Sequence, residues 1–257
     1  MAVLNNNNFC TWSEDIETCN YALPMFQGDG INMFMNFILN DATVPFSDLR
    51  LGLWSADLGI YLFNIASLNL ISVGVSFDYT FYADEWTVPA LPRNENFRFV
   101  LYNEPSTILY YSNSFRVVNN TNYTSIVKYR NSKDALGYLY EDALSFYNEF
   151  RVDVWTGLPN YNENVKGHDT YEGDFIAVKS DIQKTREFQT RYMDEIGHEA
   201  FFSMLGHSEV YIDDIRYKKP QDQSYNITWS EFDDNRIGNG IIDLLRVDYS
   251  SAIINCN

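Results

Sequence analysis

Phe97-Arg98-Phe99-Val100-Leu101-Tyr102, then Asn103-Glu104-Pro105-Ser106, then Thr107-Ile108-Leu109-Tyr110-Tyr111-Ser112-Asn113-Ser114-Phe115-Arg116-Val117-Val118: this stretch decides the fold. In its first six residues Phe97, Phe99 and Leu101 fall on one side of an extended chain. Arg98, Val100 and Tyr102 fall on the other, because successive strand side chains point to opposite faces. The next four residues combine Asn, Pro and Ser, which favour a turn. The spacing therefore predicts two strands joined by a short loop.

Moving towards the N-terminus, residues 48–54, 60–64 and 67–82 read as further strands bounded by turn-rich breaks. Towards the C-terminus, residues 125–129 read as a strand, as do residues 149–155, where Phe150, Val152 and Val154 alternate with Arg151, Asp153 and Trp155. Val210-Tyr211-Ile212 and Ile215-Arg216-Tyr217 flank Asp213-Asp214 as a tight hairpin. Leu245, Val247 and Tyr249 alternate against Arg246 and Asp248 in a closing strand. One helix interrupts the pattern: Ile196, Ala200, Phe201, Met204 and Leu205 recur at helical spacing, with Asp194 placed to cap it and Gly206 to end it. Asn119-Asn120-Thr121-Asn122 has nothing to bury and reads as a linker. The expected fold is mainly β: two antiparallel β-sandwich or jelly-roll-like domains, residues 1–118 and 119–257, with one short helix in the second. Residues 158–174, rich in Asn, Gly and Asp, read as a long exposed loop and as the first place to look for an intersubunit arm.

Composition agrees with this pattern. The chain has 257 residues, 46% of them hydrophobic and 16% aromatic, enough for one large core or two ordinary ones. The formal charge of −17 works against gripping nucleic acid through its phosphates, so sequence-specific nucleic-acid binding is not expected. A negative surface suits either a soluble protein or the wall of a conduit that lets DNA pass. Cys10, Cys19 and Cys256 have neither the number nor the spacing of a disulfide framework or a zinc site. The N-terminus, Met1-Ala2-Val3-Leu4 followed by four asparagines, lacks the basic and apolar regions of an export signal, which places the chain in the cytoplasm as an expectation. The apolar runs at residues 31–39 and 60–75 are broken by polar residues or glycine and read as buried strands rather than membrane spans. Asn119, Asn122 and Asn226 begin glycosylation-type triplets that carry no weight without a secretory signal.

No motif in the sequence specifies a catalytic, cofactor-binding or metal site. His198-Glu199 begins like a zinc-protease helix, but Phe202 stands where that motif needs its second histidine. His168, His198 and His207 have no ligand spacing, and His198 and His207 read as surface or capping residues. Asp233-Asp234-Asn235-Arg236-Ile237-Gly238 alternates like a calcium loop, but Ile237 and Leu244 stand where oxygen ligands belong, so it reads as a turn. Two glycosidase carboxylates could be brought together from among 35 acidic residues only by folding, which spacing does not test. Trp12, Trp54, Trp86 and Tyr111 could form a sugar-stacking platform, against the commoner use of aromatics to fill cores and interfaces.

The succession of Tyr110 to Phe115, Tyr129-Arg130-Asn131-Ser132 with Gly137-Tyr138, Phe150-Arg151-Val152, Thr170-Tyr171-Glu172, Lys179-Ser180, Phe188-Gln189-Thr190 and Val210-Tyr211-Ile212-Asp213 resembles structural proteins of phages and prophages of gut Bacteroidetes. It is most similar to a tail or neck ring protein of a crAss-like tailed phage. The resemblance covers residues 97–217 and, more loosely, the N-terminal part; Asp214 departs from it where similar proteins more often carry Gly. It implies a non-enzymatic virion protein of the tail or neck, assembled in the host bacterial cytoplasm. It also implies a closed homo-oligomeric ring, a dodecamer like the portal-linked tail assembly, touching other tail-ring or portal-associated proteins. The alternative of a different class is a glycan-binding β-sandwich module of a phage tail or host-surface protein.

Overall fold

The computed structural model describes residues 3–5, 12–13, 22–38, 49–65, 68–72, 78–93, 95–103, 107–131, 147–232 and 235–247. Most of these residues are in strands and one helix occurs among them, so the protein is mainly β with a sandwich-like arrangement. In the first half the strands are β1 (Val3–Asn5), β2 (Trp12–Ser13), β3 (Leu23–Met25), β4 (Gly30–Ile38), β5 (Leu49–Ser55), β6 (Ile60–Asn64), β7 (Leu68–Ser72), β8 (Asp78–Thr87), β9 (Asn96–Asn103) and β10 (Thr107–Val117). The second half contributes β11 (Ser125–Arg130), β12 (Asn148–Val152), β13 (Val154–Asp169), β14 (Phe175–Thr190), helix α1 (Glu195–Leu205), β15 (Glu209–Ile212), β16 (Ile215–Lys218), β17 (Asn226–Phe232) and β18 (Asn235–Arg246).

The β9–β10 pair is antiparallel, as its alternation predicts, and β9 lies inside a six-stranded sheet ordered β2-β10-β9-β5-β6, with β3 parallel to β10. Phe97, Phe99, Leu101 and Phe115 are buried on one face, and Phe99 meets Phe115 edge-on at 4.8 Å. The other face is covered too. Arg98 is buried and donates to the Ser112 carbonyl at 3.0 Å, while the Tyr61 ring lies over Gly52, where a side chain would overlap it. A glycine is needed there for the close approach.

The larger sheet has twelve strands, ordered β13-β14-β18-β16-β15-β11-β12-β4-β8-β7, with β1 beside β4 and β17 beside β18. It runs across the junction at residues 118/119, because β12 pairs with β4 through Glu149 opposite Asn32. Two ion pairs cross the same junction. Arg151 grips Asp29 through two bonds of 2.7 Å, both side chains almost fully buried, and Arg116 holds Asp153 at 2.6 and 2.7 Å. Asp29 also accepts from the Phe26 amide and Arg151 donates to Thr124, so the buried charges are well satisfied. Removing one partner of such a pair typically costs about 3–5 kcal/mol, because the other charge is left buried and unmatched.

β11 alternates strictly, with Ser125, Val127 and Tyr129 buried. Pairing with β12 and β15 aligns these with Phe150, Val152, Val210 and Ile212 to form the face on which the C-terminal core is built. Helix α1 begins as expected: Asp194 caps it by accepting from the Gly197 amide at 2.8 Å. Its buried side is Gly197, His198, Ala200, Phe201, Met204 and Leu205, whereas Ile196 is exposed, contrary to the spacing. The β15–β16 turn holds Asp213 and Asp214 at φ 49° and 61°, the left-handed pair that a two-residue hairpin requires. Asp213 accepts from the Ile126 amide and Lys128 reaches Asp214 at 3.2 Å, so neighbouring bonds hold a turn that glycine would adopt more easily.

Four sequence expectations are corrected. Residues 67–82 form not one strand but parts of two, β7 and β8, paired antiparallel from Leu68 opposite Ala83 to Ser72 opposite Tyr79. Residues 149–155 break at Asp153, where Arg116 clamps the carboxylate and the chain leaves β11 to pair with β14. The long loop expected at residues 158–174 is instead most of β13 and the turn that reverses it; an extended ribbon solvated on both faces shows no apolar alternation to reveal it. The closing strand begins earlier, at Asn235, and ends at Arg246; Tyr249 is outside the described residues, as are Asp233 and Asp234 and all three cysteines. Among the described residues no helix is long and apolar enough to cross a membrane.

Candidate functional site

The most prominent functional candidate is the β13–β14 hairpin. Its strands pair from Val154 opposite Thr190 to Asp169 opposite Phe175, with irregularities at Thr156/Pro159 and Lys166/Gly167 that bend and twist the ribbon. β18 supports β14 only from Thr185 to Gln189. Beyond that, the two strands continue without a third partner among the described residues for roughly ten residue pairs, about 30 Å at strand rise. At the tip the Asp174 carbonyl accepts from the Thr170 amide at 2.7 Å and the Asp174 amide donates to Thr170 Oγ1 at 3.0 Å, while Gly173, at φ 90°, turns the chain. Lys184 lies over the Tyr161 ring at 5.2 Å. Tyr161, Val165, Tyr171 and Phe175 are exposed along this ribbon, Tyr171 fully so, and Leu158 is 85% exposed at its base. β13 is also the terminal strand of the sheet order, which leaves its outer backbone edge unpaired among the described residues.

A second candidate lies at the junction. A cleft of about 390 Å³ is lined by Arg116, Asn120, Tyr123, Asp153, Arg191 and Tyr192, among others. The asparagine-rich stretch that reads as a linker forms one wall, with Asn120 Oδ1 accepting from the Asn122 amide at 3.1 Å. The sequence gives no sign that Tyr123 and Tyr192 both adopt left-handed backbone here.

Of the two histidines expected at the surface or at a cap, His198 is placed differently. His198 is buried under α1: its Nδ1 bonds the Tyr225 hydroxyl at 2.5 Å, its ring meets Trp229 edge-on at 5.1 Å, and Nε2 lies against Gly238. Tyr225 in turn bonds Thr190 Oγ1 at 2.9 Å, and Thr190 accepts from the Gly240 amide at 2.8 Å. The sequence misses this network because Gly238 and Gly240 act by absence: they open the space that the His198 and Tyr225 rings occupy. His207 does cap, bonding the Ser203 carbonyl at 2.8 Å, but it is buried against the Tyr129 ring. Burial pushes the pKa of both histidines down, against weaker backbone hydrogen bonds that act the other way. The exposed His168 sits near the ribbon tip.

No group of three metal-ligating side chains occurs among the described residues. The best-fixed carboxylates are committed to arginines: Asp29 to Arg151, Asp153 to Arg116 and Glu209 to Arg130. For Glu209, burial pushes the pKa up, but bonds from Tyr147 and Arg130 outweigh it and hold the acid below its ordinary value, the reverse of what a general acid needs. Of the four aromatics considered as a sugar platform, Trp86 packs edge-on against Phe99 in the core and Trp54 meets Tyr111 edge-on at 6.0 Å. The Trp12 side chain lies outside the described residues. Comparison of the chain with protein-family models, with curated proteins and with solved structures finds no match.

Proposed function

We propose that the chain is a virion structural protein, a subunit of a multimeric ring in the tail or neck of a crAss-like tailed phage through which DNA passes. The observation that carries the assembly part of this reading is the unsupported β13–β14 ribbon. A two-stranded hairpin has no core of its own and is marginal in water when isolated, so a long one gains most from a neighbour that covers it. Tyr161, Val165, Tyr171 and Phe175 supply apolar surface for that contact, and the edge of β13 supplies backbone groups. A closed ring needs a heterologous contact, in which a projecting element of one copy meets a different surface of the next; an arm fits that geometry. The virion part rests on the sequence resemblance, with the net charge of −17 in keeping with a channel that passes DNA without holding it.

Electron microscopy of the purified protein, alone and mixed with candidate partner rings, tests the reading. Rotationally symmetric particles, or assembly on a partner ring, are expected. A protein that stays monomeric and never enters a virion contradicts it.

A further inference from the structure

We propose that the junction cleft binds an acidic saccharide, with Tyr123 and Tyr192 stacking on sugar rings and Arg191 holding the carboxylate. This inference is independent of the ring reading and stands or falls separately from it.

Three observations converge on the cleft. Tyr123 and Tyr192 have φ of 64° and 51°, a backbone region that bulky side chains avoid, yet their rings are 58% and 65% exposed. A ring that is mostly in water returns little burial energy for that strain. The neighbouring structure nevertheless fixes both positions: the Tyr192 amide donates to Asn239 Oδ1 at 3.0 Å, and Tyr123 sits in a turn closed by the Thr124 amide on the Thr121 carbonyl. Strained residues held in this way cluster where ligands bind, and exposed tyrosine faces stack on flat apolar surfaces.

The second observation is charge. Arg116, Arg191 and Asp153 line the cleft, where Arg116 is matched with Asp153; Arg151, which bonds the lining residue Thr124, is matched with Asp29. Arg191 lies over the Tyr123 ring at 4.7 Å and has no carboxylate partner among the described residues. In a chain with 35 acidic and 18 basic residues, a guanidinium without an acid partner in a cleft runs against the average composition. One planar guanidinium suits one carboxylate. A polyphosphate calls for several cations or a cradle of backbone N–H groups.

The third is the rest of the lining. Asn119, Asn120 and Asn122 offer exposed amides that both donate and accept, the chemistry that recognises sugar hydroxyls. A volume of about 390 Å³ falls within the range of small-ligand sites.

The test is titration of the full chain, followed by saturation-transfer NMR, with tetragalacturonate, a hyaluronan tetrasaccharide and sialyllactose, each beside a neutral counterpart, maltotetraose or lactose. At least one acidic saccharide is expected to bind at millimolar concentration or below, and its neutral counterpart at least tenfold more weakly. Arg191→Gln and Tyr192→Asn are each expected to weaken binding tenfold or more. Because Asn enters left-handed backbone more readily than Tyr, Tyr192→Asn is also expected to keep or raise Tm, which separates loss of binding from loss of fold. No binding by any of the three acids, equal binding of acid and neutral sugars, or full affinity in either variant overturns the proposal.

Discussion

At its base the β13–β14 hairpin is fixed in the sheet, with Val154, Phe188 and Thr190 buried and β18 alongside, whereas a few residues further out the same two strands pair, among the described residues, only with each other and carry Tyr161, Val165, Tyr171 and Phe175 exposed. The backbone pairing is continuous through both regions; what changes is the third strand and the helix-covered core. The difference separates two roles along one element. The base belongs to the fold, and the ribbon is free to serve contact.

The sharpest way to break this comparison is to truncate a side chain in each region. Phe188 is buried and meets Tyr217 edge-on at 4.8 Å, so Phe188→Ala is expected to destabilise the protein by about 3–5 kcal/mol in denaturant unfolding. A loss below about 1 kcal/mol, the scale of an ordinary surface change, would show that the base is not core. Next in size is Gly240→Ala. The new methyl overlaps the Tyr225 ring, so displacing it is expected to cost about 1–3 kcal/mol and to disturb the Tyr225–His198 bond, visible as a shifted histidine NMR signal.

Acid offers a third handle on the base. His198 and His207 are buried with lowered pKa, so the unfolded chain binds protons more readily than the folded one. Their contribution to stability is complete above the ordinary histidine value of about 6.5 and is lost as pH falls below it through the folded values. Tm measured against pH should therefore fall on the acid side of that value and show no histidine step above it. The smallest effect belongs to the ribbon. Tyr171 is fully exposed, so Tyr171→Ser is expected to change stability by less than about 0.5 kcal/mol while weakening self-association in sedimentation.

Much of the packed fold around the base was legible in the sequence, and the ribbon was not. The alternation from Phe97 to Leu101, the Asp194 cap and the Asp213-Asp214 turn each follow from local chemistry, and each is found in place. Residues 158–174 read as a loop because strand signals come from a buried face, and this segment has none. Their exposure was legible even though their backbone was not. His198 read as a surface or capping residue because the space it fills is made by Gly238, forty residues away and silent about what it admits. Tyr123 and Tyr192 carry no signal for a similar reason: their left-handed backbone is held by a local turn and by Asn239, and leaves no mark in composition.

The central claim is that the ribbon drives assembly while the base holds the fold. Mass photometry of the intact chain beside a variant in which residues 160–184 are replaced by a short Asn-Gly turn tests it most directly. The expected result is a multi-copy ring for the intact chain and a folded monomer, with unchanged Tm, for the variant. An intact chain that stays monomeric both alone and with candidate partner rings, or a variant that assembles as well as the original, contradicts it.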